Sequence, residues 1–196
     1  MIILFFSLLI CIMLHELGHL IAAKMCKCTV IRYSIGFGKP ILWSKKIGET
    51  IYQITLWLLG GYCELKDELY YSRSKRSFTN LPYSKKFIIS IAGIVVNVVT
   101  GAIATFIGLA LYNNTLITFG VISISLGLTN ALPIAPCIDG GYIVFYPIYI
   151  KKYGKKQGIL KFAKVSQISF KILMWLNIVS IPFMIFMWKP MMEIFK

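Results

Sequence analysis

The run HELGHLIAAK, residues 15–24, is the feature that most constrains how this chain can fold. It follows the apolar stretch MIILFFSLLICIML, which contains no charged residue. Ionisable side chains are costly in hydrocarbon and usually mark a functional site. In a helix, residues i and i+4 share one face, so His15 and His19 can bind one metal ion together. Glu16 then lies beside them as a general base that does not ligate the metal.

A catalytic zinc site needs a third protein ligand and an open position for water. The remaining acid within an apolar region is Asp139. If their segments are helical, His15, His19 and Asp139 lie roughly 7–18 Å below the same membrane surface. We therefore expect one Zn²⁺ per chain, held by these three side chains. Cys11 and Cys137 are interpreted as packing residues, with auxiliary thiol ligation as the alternative.

Composition places the chain among membrane proteins, since 58% of its residues are hydrophobic and only 14% are charged. The predicted fold is an α-helical polytopic membrane protein with about four transmembrane helices in a single domain, residues 1–196. A helical span needs about 20 apolar residues. The four predicted spans are residues 2–23, 87–112, 116–132 and 168–188. The third is expected to continue irregularly to residue 150, because Pro133 and Pro136 interrupt a regular helix.

The region 31–65 is predicted to form a membrane-associated β-hairpin region between the first and second spans. Ile51–Tyr62 is too short to span a membrane and is rich in β-branched and aromatic residues. Glycines occur at several positions in the region and indicate turns or bulges. An ordinary amphipathic loop is the alternative.

Charge placement predicts the topology. Lys24–Lys86 contains 12 Lys or Arg against four acids, and Lys151–Lys171 contains seven Lys and no acid. Basic loops on one side only follow the positive-inside rule, so we expect the N-terminus outside and the active site towards the cytoplasmic side of a bacterial cell membrane. The same distribution argues against a nucleic-acid partner despite the net charge of +14.

Three motifs in three successive spans resemble the site-2 proteases, which are intramembrane zinc metalloproteases. They are HELGH, AGIVVN at residues 92–97 and NALPIAPCIDGG at residues 130–141. SIGFGKPILWS and LLGGY extend the resemblance to about residues 3–150. The resemblance implies that His15, His19 and Asp139 ligate the metal and that Glu16 is the catalytic base. It also implies a position near the active site for Asn130, and both Asn130 and Asn97 are candidates for substrate or oxyanion contact.

The chain departs from the family pattern at several points. Nine residues separate Asn130 from Asp139, where the family usually has eight, and this puts the role of Asn130 in question. Ile94 and Leu58 stand where prolines are common. The connection YNNT leaves no room for a PDZ domain, and no CBS domain follows the last span, so a minimal-core member is expected.

The resemblance implies a zinc metalloendopeptidase that hydrolyses peptide bonds within or near transmembrane segments. Its expected partners are transmembrane protein substrates and the lipid bilayer, with the substrate paired as a strand against Ile47–Leu59. The alternative is a non-catalytic metal-binding or chaperone-like member of the same fold. A metal transporter would need more polar ligands at mid-membrane depth. The oligomeric state, the substrate and any regulatory partner stay open.

Overall fold

The computed structural model describes residues 2–194, with side chains described except at residues 2, 59 and 177–194. Helices dominate, and two long strands lie between the first two long helices. In chain order the elements are α1 (Ile2–Met25), β1 (Val30–Ile47), β2 (Thr50–Leu65), a short 3₁₀ helix (Phe78–Asn80), α2 (Tyr83–Ala110), α3 (Asn114–Ala131), α4 (Asp139–Tyr153) and α5 (Lys155–Ile194).

Among the described residues, three helices are long and apolar enough to cross a membrane: Ile3–Met25, Tyr83–Ala110 and Asn114–Ala131. Their outward faces carry exposed large apolar side chains, among them Phe6, Ile103 and Phe106. This agrees with the first three predicted spans. The fourth predicted span, residues 168–188, falls within α5, but most of its side chains lie outside the described residues, so it stays a prediction.

Small residues let the three helices approach one another closely. A side chain at Gly18 of α1 would meet the carbonyl oxygen of Ala92 on α2 at 2.8 Å. A side chain at Gly101 of α2 would meet the carbonyl oxygen of Gly120 on α3 at 2.7 Å. Helix packing in membranes depends on such small contact residues, because lipid supplies no hydrophobic force between helices.

The predicted β region is present as two long bent strands that pair antiparallel. Gly36 and Gly38 have positive φ angles of 88° and 69°, which bend β1 where other residues would be strained. Arg32–Ile35 pairs with both Gly61–Glu64 and Ile51–Ile54, and the latter segment pairs also with Trp43–Lys46. The segments that contain 43–46 and 61–64 are therefore the two edges of the sheet.

The irregular backbone after α3 is shorter than predicted. Only residues 132–138 are non-helical, and α4 is a helix over Asp139–Tyr153 even though it contains Pro147. The expectation of irregular structure to residue 150 is therefore wrong. The effect of Pro133 and Pro136 is local, and a new helix begins as soon as they are passed. Gly140 and Gly141 allow this start, because side chains there would collide with the carbonyl oxygens of Ala131 and Ala135.

One hydrophobic core joins the end of α1 to the sheet, α2, α4 and α5. Phe78, Ile89, Ile159 and Phe162 are each at most 2% exposed. Tyr142 and Tyr146 of α4 stack on each other with ring centroids 4.8 Å apart and meet Phe162 edge-on. This core holds the first turns of α4 beside the second half of α1, which is the region that contains both histidines.

Candidate active site

Two histidine side chains of α1 turn the same ring nitrogen towards one point. The Nε2 atoms of His15 and His19 are 3.2 Å apart, and both side chains are buried. Nδ1 of His19 lies 2.7 Å from the backbone carbonyl oxygen of Ile89. A carbonyl only accepts hydrogen bonds, so Nδ1 carries a proton, and in the neutral ring Nε2 then presents a lone pair. His19 is therefore held in the tautomer that binds a metal through Nε2.

Asp139, the first residue of α4, brings a carboxylate to the same point. Its Oδ2 lies 2.9 Å from Nε2 of His15 and 3.3 Å from Nε2 of His19. Among the described side chains, these three form a group whose ligand atoms all lie within 4.8 Å of one another. Zinc at its usual ligand distances would place tetrahedral ligands about 3.3–3.6 Å apart. Two imidazole nitrogens and a carboxylate oxygen therefore fit a zinc ion in chemistry and in spacing.

Asn97 of α2 lies behind His15 and is fully buried. Its side-chain amide is 3.2 Å from Nδ1 of His15, and its Oδ1 has no partner among the described residues. A 180° rotation of the amide would let Oδ1 accept from Nδ1–H and leave Nε2 of His15 free for a metal. Asn97 is also missing from the described lining of the cavity beside the histidines. Its location fits the orientation of His15 better than contact with substrate.

Gly93 lies one turn before Asn97 on α2 and faces the same point. A β-carbon there would be 2.5 Å from Nε2 of His19 and 2.8 Å from Nε2 of His15. No real β-carbon tolerates contacts this close. The sequence indicated only that α2 approaches α1 closely at Gly93. The structure adds that this approach brings α2 onto the atoms that would ligate the metal.

Glu16 stands apart from the three converging ligand atoms and faces the sheet. Its carboxylate lies close to the backbone of Cys63 on β2. A β-carbon at Gly61 would lie 3.1 Å from Cγ of Glu16. The edge segment of β2 thus packs directly on the predicted base, and the absence of a side chain at Gly61 makes this approach possible.

A cavity of about 750 Å³ opens beside the site. Its volume lies in the range usual for ligand pockets. The lining joins the predicted ligands and Glu16 to the edge segment Gly60–Cys63, to the loop after α3 and to α5. Asn130 lies in this lining, half-buried, with its Nδ2 donating to the carbonyl oxygen of Leu126. Asn130 therefore faces the cavity without contacting the three ligand atoms.

The two thiols considered as auxiliary ligands do not join the ligand group. Cys11 is fully buried, with its Sγ 3.9 Å from the carbonyl oxygen of Phe119 on α3. Cys137 lines the cavity but does not belong to the described group of ligand atoms. These positions favour the interpretation of both as packing residues.

Sequence reasoning missed a carboxylate that also lines the cavity, that of Glu68. It lies in the loop between β2 and α2, outside the three apolar helices. Burial raises the pKa of Glu68 to about 7, and attraction to His19 opposes this shift. The run KDEL in a basic loop gave no signal of this, because only the fold turns one of its acids inward.

Comparison with known proteins agrees with this geometry. The family described as Peptidase family M50, the site-2 protease family, matches residues 3–118. Two proteins named "Putative zinc metalloprotease" are similar: one from Treponema pallidum is 46% identical over 59 residues, and one from Thermotoga maritima is 33% identical over 111. Zinc metalloprotease Rip1 of Mycobacterium tuberculosis is 44% identical over 59 residues.

These matches cover 30%, 52% and 30% of this chain, respectively. They cover only 13%, 21% and 14% of the relatives, so the chain spans a small part of their length. The family match itself covers more than half of the chain and includes the HELGH motif, Gly93 and Asn97. The resemblance found in the sequence is thereby confirmed, and the chain belongs to peptidase family M50, the site-2 proteases.

Proposed function

We propose that this protein is an intramembrane zinc endopeptidase that hydrolyses peptide bonds within or near transmembrane segments of other membrane proteins. The observation that carries the proposal is the convergence of His15, His19 and Asp139 at the end of an apolar helix, with Glu16 free beside them. Three ligands leave a tetrahedral zinc ion one open position, which is the arrangement of catalytic rather than structural zinc sites.

Zinc held by these three side chains would polarise the scissile carbonyl and lower the pKa of a nearby water. Glu16 is the group of this chain that takes the proton from the attacking water. As the water oxygen bonds to the carbonyl carbon and the C–N bond breaks, Glu16 passes that proton to the leaving amine. The edge segment of β2 packs on Glu16 at Gly61 and would restrict the movement of its carboxylate during both transfers.

We propose that the substrate pairs as a strand with the edge segment Gly60–Cys63. The sequence suggested the region Ile47–Leu59 instead. However, Ile51–Ile54 already has partners on both sides, whereas the segment Gly61–Glu64 pairs on one side only among the described residues. The second segment also lies against Glu16 and lines the cavity. Backbone pairing there would replace hydrogen bonds that a transmembrane helix loses when it unwinds.

Asn130 is the residue that we expect to contact the bound substrate backbone from the opposite wall. It faces the cavity at the end of α3, and its amide can both donate and accept hydrogen bonds. This supports the role that the family resemblance implies despite the nine-residue spacing to Asp139. Charge placement supports a cytoplasmic location for the basic connection that contains the sheet.

The rival function, a non-catalytic metal-binding member, lacks support from a specific observation. A protein that only binds metal has no need of Glu16, which contributes no ligand atom.

The proposal is tested with purified protein in liposomes that contain a substrate with one transmembrane segment. Glu16→Gln should hold zinc as tightly as the wild type and leave the substrate uncut. Cleavage by Glu16→Gln at a rate near that of the wild type would refute the assigned base.

A further inference from the structure

Lys86, in the first turn of α2, is unexpectedly buried. The adjacent pair Lys85 and Lys86 fits a basic signal at the membrane surface. Yet the residue at 86 is only 4% exposed. Its ammonium group donates to the carbonyl oxygen of Thr79 at 3.0 Å and to the hydroxyl of Tyr146 at 2.7 Å. Buried charges need such partners, so this lysine is fixed in place and does not serve as a free interfacial charge.

Aromatic rings complete the surroundings of the Lys86 ammonium group. It lies 4.4 Å from the ring centroid of Tyr146 and 5.8 Å from that of Phe78. Both distances are within the range of cation–π attraction. No acidic side chain pairs with it among the described residues. The lysine thus joins α2, the short 3₁₀ helix and α4 through one charged group.

A second contact from the same turn of α2 reaches α4 at its weakest backbone position. Pro147 has no N–H, so the carbonyl oxygen of Ile143, four residues earlier, lacks its helical donor. The hydroxyl of Tyr83 donates to that oxygen at 2.7 Å. Tyr83 and Lys86 are three residues apart and therefore neighbours on α2. Together they hold the turn of α4 that directly precedes the proline.

These contacts bear on the metal site because α4 begins with Asp139. Tyr146 lies seven residues after Asp139, two helical turns along the same face. Tyr142 stands between them and stacks on Tyr146. A rotation or shift of α4 at Tyr146 is therefore transmitted to Asp139, whose carboxylate must stay about 3 Å from two imidazoles.

We infer that Lys86 is a positioning residue for the metal site: its bonds to Tyr146 and Thr79 set the rotation of α4 and so hold Asp139 against His15 and His19. This inference rests on the proposed metal site. It assigns Lys86 no contact with substrate or metal. Mutation of groups that orient metal ligands typically lowers metal affinity by about 10- to 100-fold. Because Lys86 does not contact a ligand directly, we expect a loss near the lower end of this range.

The test compares zinc affinity of purified variants in detergent by competition with a chelator of known affinity. Lys86→Met keeps the length of the side chain but removes its charge and its donors, and should weaken zinc binding about tenfold. Lys85→Met is the matched control, since no hydrogen bond, ion pair or cation–π contact is described for the Lys85 side chain, and it should bind zinc like the wild type. If Lys86→Met does not fold, Tyr146→Phe removes only the hydroxyl and should weaken zinc binding in the same direction.

A second arm separates positioning from simple loss of stability. In an Asp139→Asn background, Lys86→Met should change zinc affinity less than twofold, because the ligand that it positions is already gone. An equal loss in both backgrounds would overturn the inference, as would wild-type affinity in folded Lys86→Met protein. Wild-type zinc affinity of Asp139→Asn itself would overturn the proposed metal site as well, which distinguishes the two failures.

Discussion

Replacement of Gly93 by alanine tests the proposed metal site with the smallest possible change. The new β-carbon would lie 2.5 Å from Nε2 of His19 and 2.8 Å from both Nε2 and Cε1 of His15. The shortest of these is about 0.9 Å closer than the 3.4 Å at which ordinary van der Waals contact begins. A single methyl group would therefore press on the ligand atoms of both histidines at once.

The size of the effect follows from the cost of overpacking. An added methyl group in a well-packed interior costs about 1–3 kcal/mol. At Gly93 the strained neighbours are the imidazoles, which can give way by turning Nε2 away from the shared point. Since about 1.4 kcal/mol corresponds to a tenfold change in binding, strain of about 3 kcal/mol borne by the ligands lowers zinc affinity about 100-fold. Proteolytic activity at limiting zinc should fall in parallel.

The assay measures zinc affinity by chelator competition and thermal stability of the same metal-free samples. Gly101→Ala is the matched control, because its β-carbon would meet the carbonyl oxygen of Gly120 at 2.7 Å in the interface of α2 with α3. Gly101→Ala should lower stability but keep zinc affinity. If Gly93→Ala bound zinc as tightly as the wild type, the structure would have misplaced α2 relative to the histidines.

Two further predictions concern Asn97 and Glu68. Asn97→Leu removes the amide beside Nδ1 of His15 and should weaken zinc binding about 10- to 100-fold. Asn97→Asp can still accept a hydrogen bond from Nδ1–H and should bind zinc more tightly than Asn97→Leu. Equal zinc affinities for the two variants would contradict the orienting role of Asn97. Glu68 has a folded-state pKa of about 7 against an ordinary value of 4.5, so the stability that its protonated form provides is complete below pH 4.5 and is lost as the pH rises through 7. Metal-free wild type should therefore lose thermal stability relative to Glu68→Gln between about pH 4.5 and 7, and parallel curves for the two proteins would refute the shift.

Local periodicity was enough to predict the part of the site that lies on α1. His15, Glu16 and His19 belong to one helix, so spacing alone fixes which side chains share a face. The three apolar helices were predictable for the same reason, since length and hydropathy are local properties. The approach of Asp139 is a long-range contact, and the sequence supplied only its rarity in an apolar region and the family resemblance.

The sequence was misleading at Lys86, because a lysine beside an apolar span can lie at the membrane surface or be buried in the protein. Lysine beside an apolar span usually marks the membrane surface, and nothing local distinguishes the exposed use from the buried one at Lys86. Its partner Tyr146 lies 60 residues away. The edge of the sheet was equally hidden, because which strand segment pairs on both sides depends on the bends at Gly36 and Gly38 and not on composition.

Three glycines on three elements explain why the predicted base, the predicted ligands and the proposed substrate edge can meet. Gly18 lets α2 reach α1, Gly93 lets α2 lie over the ligand atoms, and Gly61 lets the edge segment of β2 touch Glu16. Each contact is already at or inside van der Waals distance for an added β-carbon. An enlargement at any of them separates one pair of elements by part of an ångström, and displacements of about this size cost catalysis large factors. We therefore expect substitutions that add a side chain at these three glycines to disturb the site more than enlargements at positions with open space.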